Sequence, residues 1–509
     1  MTSARPAPTG LTSSARRVLQ QNWTGSCTVP SPGLYPHQWS WDSAFIAIGS
    51  RHISPRRAQR ELETLLAAQW GDGRIPHIVF NPAVPPAAYF PGPDFWRSAT
   101  AGAVAGAPRH TETSGIVQPP VHALACLLVH RADPRSSARH GFLARAYPRL
   151  AAWHRYLGRA RDLGGGGLVS VVHPWEPGMD NSPCWDAPLA RVAPAPPGTF
   201  RRADLDHGAA SDRPTDLDYG RYVRLAADYR DGGYADHTAG SAFLVEDPGV
   251  NALLIASEHA LAEIAALLGA DAAPHRTRAA DLTAALVDRL WDPAAGLFLC
   301  RDLHGGGPVR DLHGGGPVRE LHGGGPARDL HGGGPVRELG AAGLLPLLVP
   351  GLPGDIAAAL VRTACGDHFG LGRTARLVPS YDLLGPAFDP ARYWRGPAWF
   401  NVNWLLERGL RLHGEPERAD ALRTAVLETA VTSGFAEYVD PYTGEARGTR
   451  DFSWTAALAL DLAVAAGQDP RPPPPPRGPS APPPAPRPPA PPLPRPPPPP
   501  PPPPHPPPP

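Results

Sequence analysis

Apolar positions along this chain recur with the spacing of helices, not of strands. In 249–268 they fall at Leu254, Leu261, Ile264 and Leu268, intervals that keep them on one helix face. Asp247 and Pro248 ahead of that stretch supply a side-chain cap and a first-turn proline. Similar stripes run near 56–69, 121–131, 142–158, 276–290, 355–365, 398–413, 419–432 and 454–466. Segments with strand-like alternation are few. Many helices of about 12–18 residues, joined by long loops rich in Trp, Gly and Pro, predict helical hairpins packed side by side. Loops that long in a compact domain usually carry function.

The helical pattern breaks twice. A nine-residue unit, DLHGGGPVR, stands at 302–310, 311–319 and 329–337, with ELHGGGPAR at 320–328. Its histidines, His304, His313, His322 and His331, invite a metal-binding reading. The copies are too few, too polar and too Gly-rich to stack as a solenoid. Tandem expansion of one surface loop explains them better, because lengthening such a loop costs little entropy. One copy should then suffice. The second break is the C-terminus, where 470–509 hold 29 of the 70 prolines. That tail cannot bury a core and is expected as extended polyproline II or disorder, without a dedicated partner. The chain therefore divides into a flexible N-terminus (1–15), a helical domain (16–466) carrying the repeat loop (302–337), and a Pro-rich tail (467–509).

Composition narrows the class. Of 509 residues, 48 are basic, all of them Arg, against 47 acidic, a net charge of +1. That balance disfavours a nucleic-acid binder or a polybasic membrane-surface protein. The N-terminus has no apolar signal-peptide core, and no run of about 18 apolar residues predicts a membrane span. A cytoplasmic protein is expected, its oligomeric state open, a homo-oligomer included. Cys27, Cys126, Cys184, Cys300 and Cys365 form no CxxC pair and read as reduced thiols, not metal ligands.

Chemistry concentrates in the loops. Aromatic and carboxylate residues cluster in LYPHQWSWDSAF (34–45), YFPGPDFW (89–96), HPWEPGMDNSPCWD (173–186), RYWRGPAWFNVNW (392–404) and GFAEYVDPYTGE (434–445). Aromatic faces stack on the C–H face of a pyranose while carboxylates and amides bond its hydroxyls, so the mixture fits a sugar site. Glycoside hydrolysis needs two carboxyls, one protonated and one ionised. Asp42, Glu176, Asp180, Asp186, Glu437 and Glu445 are the candidates, and composition alone does not choose among them. Each loop also has a plainer reading: Trp for packing, Asp42 as a helix cap, Glu176 neutralising an Arg.

The motifs LYPHQWSWDSAFIAIG, GMDNSP, YWRGPAWFNVNWLL and FAEYVDPYTGE together resemble glycoside hydrolase family 63, most closely its bacterial glucosylglycerate and mannosylglycerate hydrolases. The resemblance covers roughly 16–466 and keeps the family's motif order. It implies an all-α six-hairpin (α/α)6 toroid with long active-site loops, and an inverting mechanism that needs no metal or organic cofactor. By motif, Asp180 matches the general acid and Glu437 the general base; Glu445, the other candidate base, falls in the following turn. Tyr35, Trp39, Trp41 and Asp42 match the sugar-recognition loop, with Asp42 a charged acceptor. Gln118, Trp394 and Trp399 look like further walls of the sugar subsite. His77, Tyr89, Arg213, Tyr222 and Tyr393 look like the side chains that hold a glycerate carboxylate. The segment 448–454, including Arg450 and Asp451, departs from the family pattern and leaves the aglycone open. The implied reaction is hydrolysis of glucosylglycerate to glucose and glycerate. Alternatives are mannosylglycerate, a neutral disaccharide as in trehalases or α-glucosidases, or an inactive sugar-binding or scaffold protein.

Overall fold

The computed structural model describes residues 8, 10–206, 210–239, 242–305 and 333–468. The Pro-rich tail beyond residue 468, most of the repeat and the first seven residues lie outside the described residues.

Six inner elements follow one another around a ring: Ser40–Ser50, His122–Ala132, Pro248–Leu267, the 3-10 stretch Ala341–Leu348, Phe400–Leu412 and Ser453–Gln468. Each packs on the next, and the last packs on the first. Every inner element has an outer partner: in the same order Pro55–Ala67, Phe142–Ala160, Ala273–Leu290, Gly354–Cys365, Pro416–Thr432 and Leu11–Gln21. Described residues 8–468 are thus an (α/α)6 toroid, the sixth hairpin formed by the two ends of the chain.

Local sequence explains the parts. Asp247 accepts from the Val250 backbone at 2.7 Å and Pro248 opens the helix, as its sequence predicts. Ser54 caps Pro55–Ala67 in the same way. The inner elements are buried over most of their surface because protein surrounds them. Every residue of Ser40–Ser50 is buried; two of its hydroxyls find partners, Ser40 on His122 and Ser43 on Glu61, while that of Ser50 has none. Gly49 closes the ring: a Cβ there would lie 2.1 Å from the Ala457 carbonyl oxygen. Pro248–Leu267 is long and apolar enough to cross a membrane, where the sequence reading found no such run. It is an inner element, and most of its residues are buried by neighbouring helices.

One boundary differs from expectation, and a further helix appears. The first helix begins at Leu11, inside the segment read as flexible, because Leu11, Ala15, Val18 and Leu19 bury against Ser453–Gln468. Asp216–Asp231 is also helical, opened by a capping box between Thr215 and Asp218.

Two-residue strands fasten the loops over one end of the ring. Trp39 pairs antiparallel with Ile78, and Tyr438 with Trp399 on one side and Arg447 on the other. Asp302 pairs with Gly334, which brings together the two ends of the repeat.

Candidate active site

The loops line a cavity at the end of the ring, about 500 Å³ of space that opens to solvent. The ladder that joins Trp39 to Ile78 sets His77 beside Trp39, and the helix that follows turns Trp41 and Asp42 inward. Gln118 accepts from the Trp41 backbone at 3.1 Å and faces the same space. Across it, the ladder between Trp399 and Tyr438 sets Glu437 beside the Trp394–Trp399 stack, whose rings lie 3.8 Å apart. Tyr35, Tyr89 and Tyr393 complete the predicted lining. Tyr393 holds its backbone at φ 37°, a left-handed conformation that costs a non-glycine residue about 1 kcal/mol or more.

Asp180 enters the cavity from the 173–186 loop. Gly178 lets that loop approach: its φ is 73°, and a Cβ there would lie 2.3 Å from the Trp41 ring. Burial pushes the Asp180 carboxyl up to about 8, opposed by Arg213 and reinforced by Glu437. Burial also raises Glu437, but Arg213, a Tyr35 hydroxyl at 2.9 Å and the Thr449 backbone at 3.3 Å pull it back toward ionisation. The two carboxyls are therefore held unequally, one more readily protonated than the other. Asp42 is raised well above its ordinary range, by burial first and then by Glu437, Asp180 and Glu61. This works against the charged acceptor expected there.

Arg213 stands behind this wall. It donates to the Tyr35 hydroxyl at 3.0 Å, approaches Glu437 at 3.6 Å and lies over the Tyr393 ring. Burial pushes His77 down to about 3, so it is neutral and Arg213 carries the positive charge. Tyr222 does not line the cavity; it packs 5.9 Å behind Trp175.

The remaining candidate carboxylates are engaged elsewhere. Glu176 is gripped by two nitrogens of buried Arg161 at 2.7 and 2.8 Å. Asp186 forks onto Arg395, and exposed Glu445 lies beside Arg447. Trp175, Phe452, Trp454, Pro30 and Gly178 line the cavity without having been singled out. Trp175 and Gly178 lie in the 173–186 loop, and Phe452 and Trp454 in the segment 448–454.

A family model for the mannosylglycerate hydrolase MGH1-like glycoside hydrolase domain matches residues 35–455. The chain is 41% identical over 467 residues to a mannosylglycerate hydrolase of Rubrobacter radiotolerans, covering 91% of this chain and 98% of the relative. It is 39% identical over 466 residues to a glucosylglycerate hydrolase of Mycolicibacterium hassiacum, covering 89% and 98%. The crystal structure of a family 63 mannosylglycerate hydrolase from Thermus thermophilus, in complex with Tris and D-glycerate, superposes with a TM-score of 0.76 at 38% identity, covering 89% of this chain and 99% of that one. The chain belongs to glycoside hydrolase family 63, among its mannosylglycerate and glucosylglycerate hydrolases.

Proposed function

We propose that this hydrolase cleaves the α-glycosidic bond of a hexosyl-glycerate with inversion, glucosylglycerate to glucose and glycerate in the first instance. The carrying observation is that Asp180 and Glu437 line one aromatic cavity with unequal proton affinities. Asp180, protonated, donates to the glycosidic oxygen as its bond to the anomeric carbon breaks. Glu437, ionised, takes a proton from a water that attacks that carbon from the opposite face. The hexose leaves as the inverted anomer. Tyr35, Trp39, Trp41, Asp42, Gln118, Trp394 and Trp399 hold the sugar. Arg213, behind Tyr35 and Tyr393, supplies positive potential for the glycerate carboxylate, and neutral His77, Tyr89 and Tyr393 are the polar partners that line the cavity. Tyr222 acts through Trp175.

Mannosylglycerate is the second reading, favoured by the likeness to the mannosylglycerate hydrolase at 41% identity. The test is hexose release from glucosylglycerate, mannosylglycerate and trehalose, with the product anomer followed by NMR. Wild type should turn over a glycosylglycerate and release the β-anomer first, and Asp180→Asn and Glu437→Gln should abolish turnover. Turnover of trehalose alone overturns the glycerate assignment. An α-anomer as first product overturns inversion.

A further inference from the structure

Asp180 sits between two fixed points. On one side, the Met179 carbonyl accepts from the Ser182 backbone at 3.1 Å and from the Trp185 indole at 2.7 Å. On the other, buried Asn181 is grasped by a different loop. Its side-chain oxygen accepts from the Trp394 backbone at 2.9 Å, and its carbonyl accepts from the Arg395 guanidinium at 3.2 Å. The same guanidinium forks onto Asp186 at 2.8 and 2.6 Å, so one planar group holds both ends of the stretch 181–186.

Arg395 is not part of the cavity lining. Its neighbours Tyr393 and Trp394 are, so Arg395 couples the proposed acid to the opposite wall. A surface ion pair of this kind is ordinarily worth little, and Asp186 is 55% exposed. The geometry is what sets it apart. A bidentate fork plus a third bond to a carbonyl needs a guanidinium; a lysine ammonium makes no planar fork. The Arg395 backbone is itself fixed, its carbonyl accepting from the Asp389 N–H at 2.9 Å.

We propose that Arg395 is a positioning residue for Asp180, setting the direction from which the proton is delivered. This rests on Asp180 being the general acid. An acid held out of place harms only reactions that need its proton. An alkoxide leaving group such as glycerate needs one; the fluoride of an α-glycosyl fluoride departs without it, while the attacking water still needs Glu437.

The full-length chain with Arg395→Met, Arg395→Lys and Asp186→Asn should be assayed on the glycosylglycerate and on the matching α-glycosyl fluoride. Arg395→Met should lose about 10- to 100-fold in kcat on the glycosylglycerate, the scale of a misplaced catalytic group. Its KM should stay within about threefold, and fluoride hydrolysis should be nearly unchanged. Arg395→Lys and Asp186→Asn should show the same split at smaller size, and they carry the test if Arg395→Met does not fold. Equal losses on both substrates, a loss confined to KM, or no loss would each overturn the proposal. Asp180→Asn run alongside separates the two ideas: if it too fails to spare the fluoride, the assignment of the acid falls, whatever Arg395 does.

Discussion

Replacing Asp180 by Asn should stabilise the protein while abolishing its turnover, and the gain should grow with pH. The folded carboxyl is pushed up to about 8 from an ordinary value of 3.8. Below 3.8 both folded and unfolded chains carry the proton, and the wild type has its full stability. Between 3.8 and about 8 the unfolded chain releases the proton and the folded chain keeps it, so wild-type stability falls as pH rises. Asparagine has no proton to lose. Each pH unit in that window is worth about 1.4 kcal/mol, so the advantage of Asn should widen by at most about 4 kcal/mol between pH 5 and pH 8 and then level off. Denaturant unfolding at 25 °C from pH 5 to 9, with unchanged m-values, reads this directly. A difference between the two proteins that is flat with pH, or that narrows as pH rises, would falsify the claim that burial keeps Asp180 protonated.

Four further outcomes follow from the same geometry. The kcat/KM profile should descend near pH 8 as Asp180 ionises and rise on the acid side above the ordinary Glu range as Glu437 ionises; a descending limb in the acid range contradicts the assignment. Gly178→Ala drives a Cβ into the Trp41 ring at a left-handed position, and kcat should drop about 100-fold; wild-type kcat would show that the loop has room to give. Glu176→Gln breaks a buried ion pair and should cost about 3–5 kcal/mol in unfolding experiments while folded molecules keep their kcat; a catalytic loss at preserved stability returns Glu176 to the chemistry. Deleting 306–332, the length of three repeat units, leaves one intact DLHGGGPVR closed by the pairing of Asp302 with Gly334. Stability should change by no more than about 1–2 kcal/mol and kcat not at all, and a chain that no longer folds would give the repeats a structural part.

Several helices with a polar face were legible in the sequence, because solvent on one side imprints the stripe, although Leu11–Gln21 and Asp216–Asp231 have such a face and were not read. Pro55–Ala67 and Phe142–Ala160 are of this kind, and Asp247–Pro248 marked its helix start. Ser40–Ser50 and Ala341–Leu348 were not found, since every residue in them is buried and no stripe exists to read. The candidate site was legible as loops and as residue types. What sequence left open was which carboxylate faces the cavity. Glu176 lies four residues from Asp180, yet Arg161 claims it through a contact that depends on how a helix end meets the loop. Tyr222 has the right type and neighbourhood, but the helix phase turns it behind Trp175. Such outcomes are decided by packing between segments far apart in the chain, which local pattern does not record.

Closure of the ring has a consequence for how the protein is made. Its two closing elements are delivered at opposite ends of synthesis: Asn22 bonds Ser453 across 431 positions, and Gly49 backs onto Ala457. A nascent chain holds Asp42 and Asp180 long before Glu437 and Trp454 exist. At roughly 5–20 residues per second, the first inner helix waits about 20–80 s for its last neighbour. During that interval one apolar flank of Ser40–Ser50 has no cover, so chains that stop before Ser453 should be both inactive and aggregation-prone.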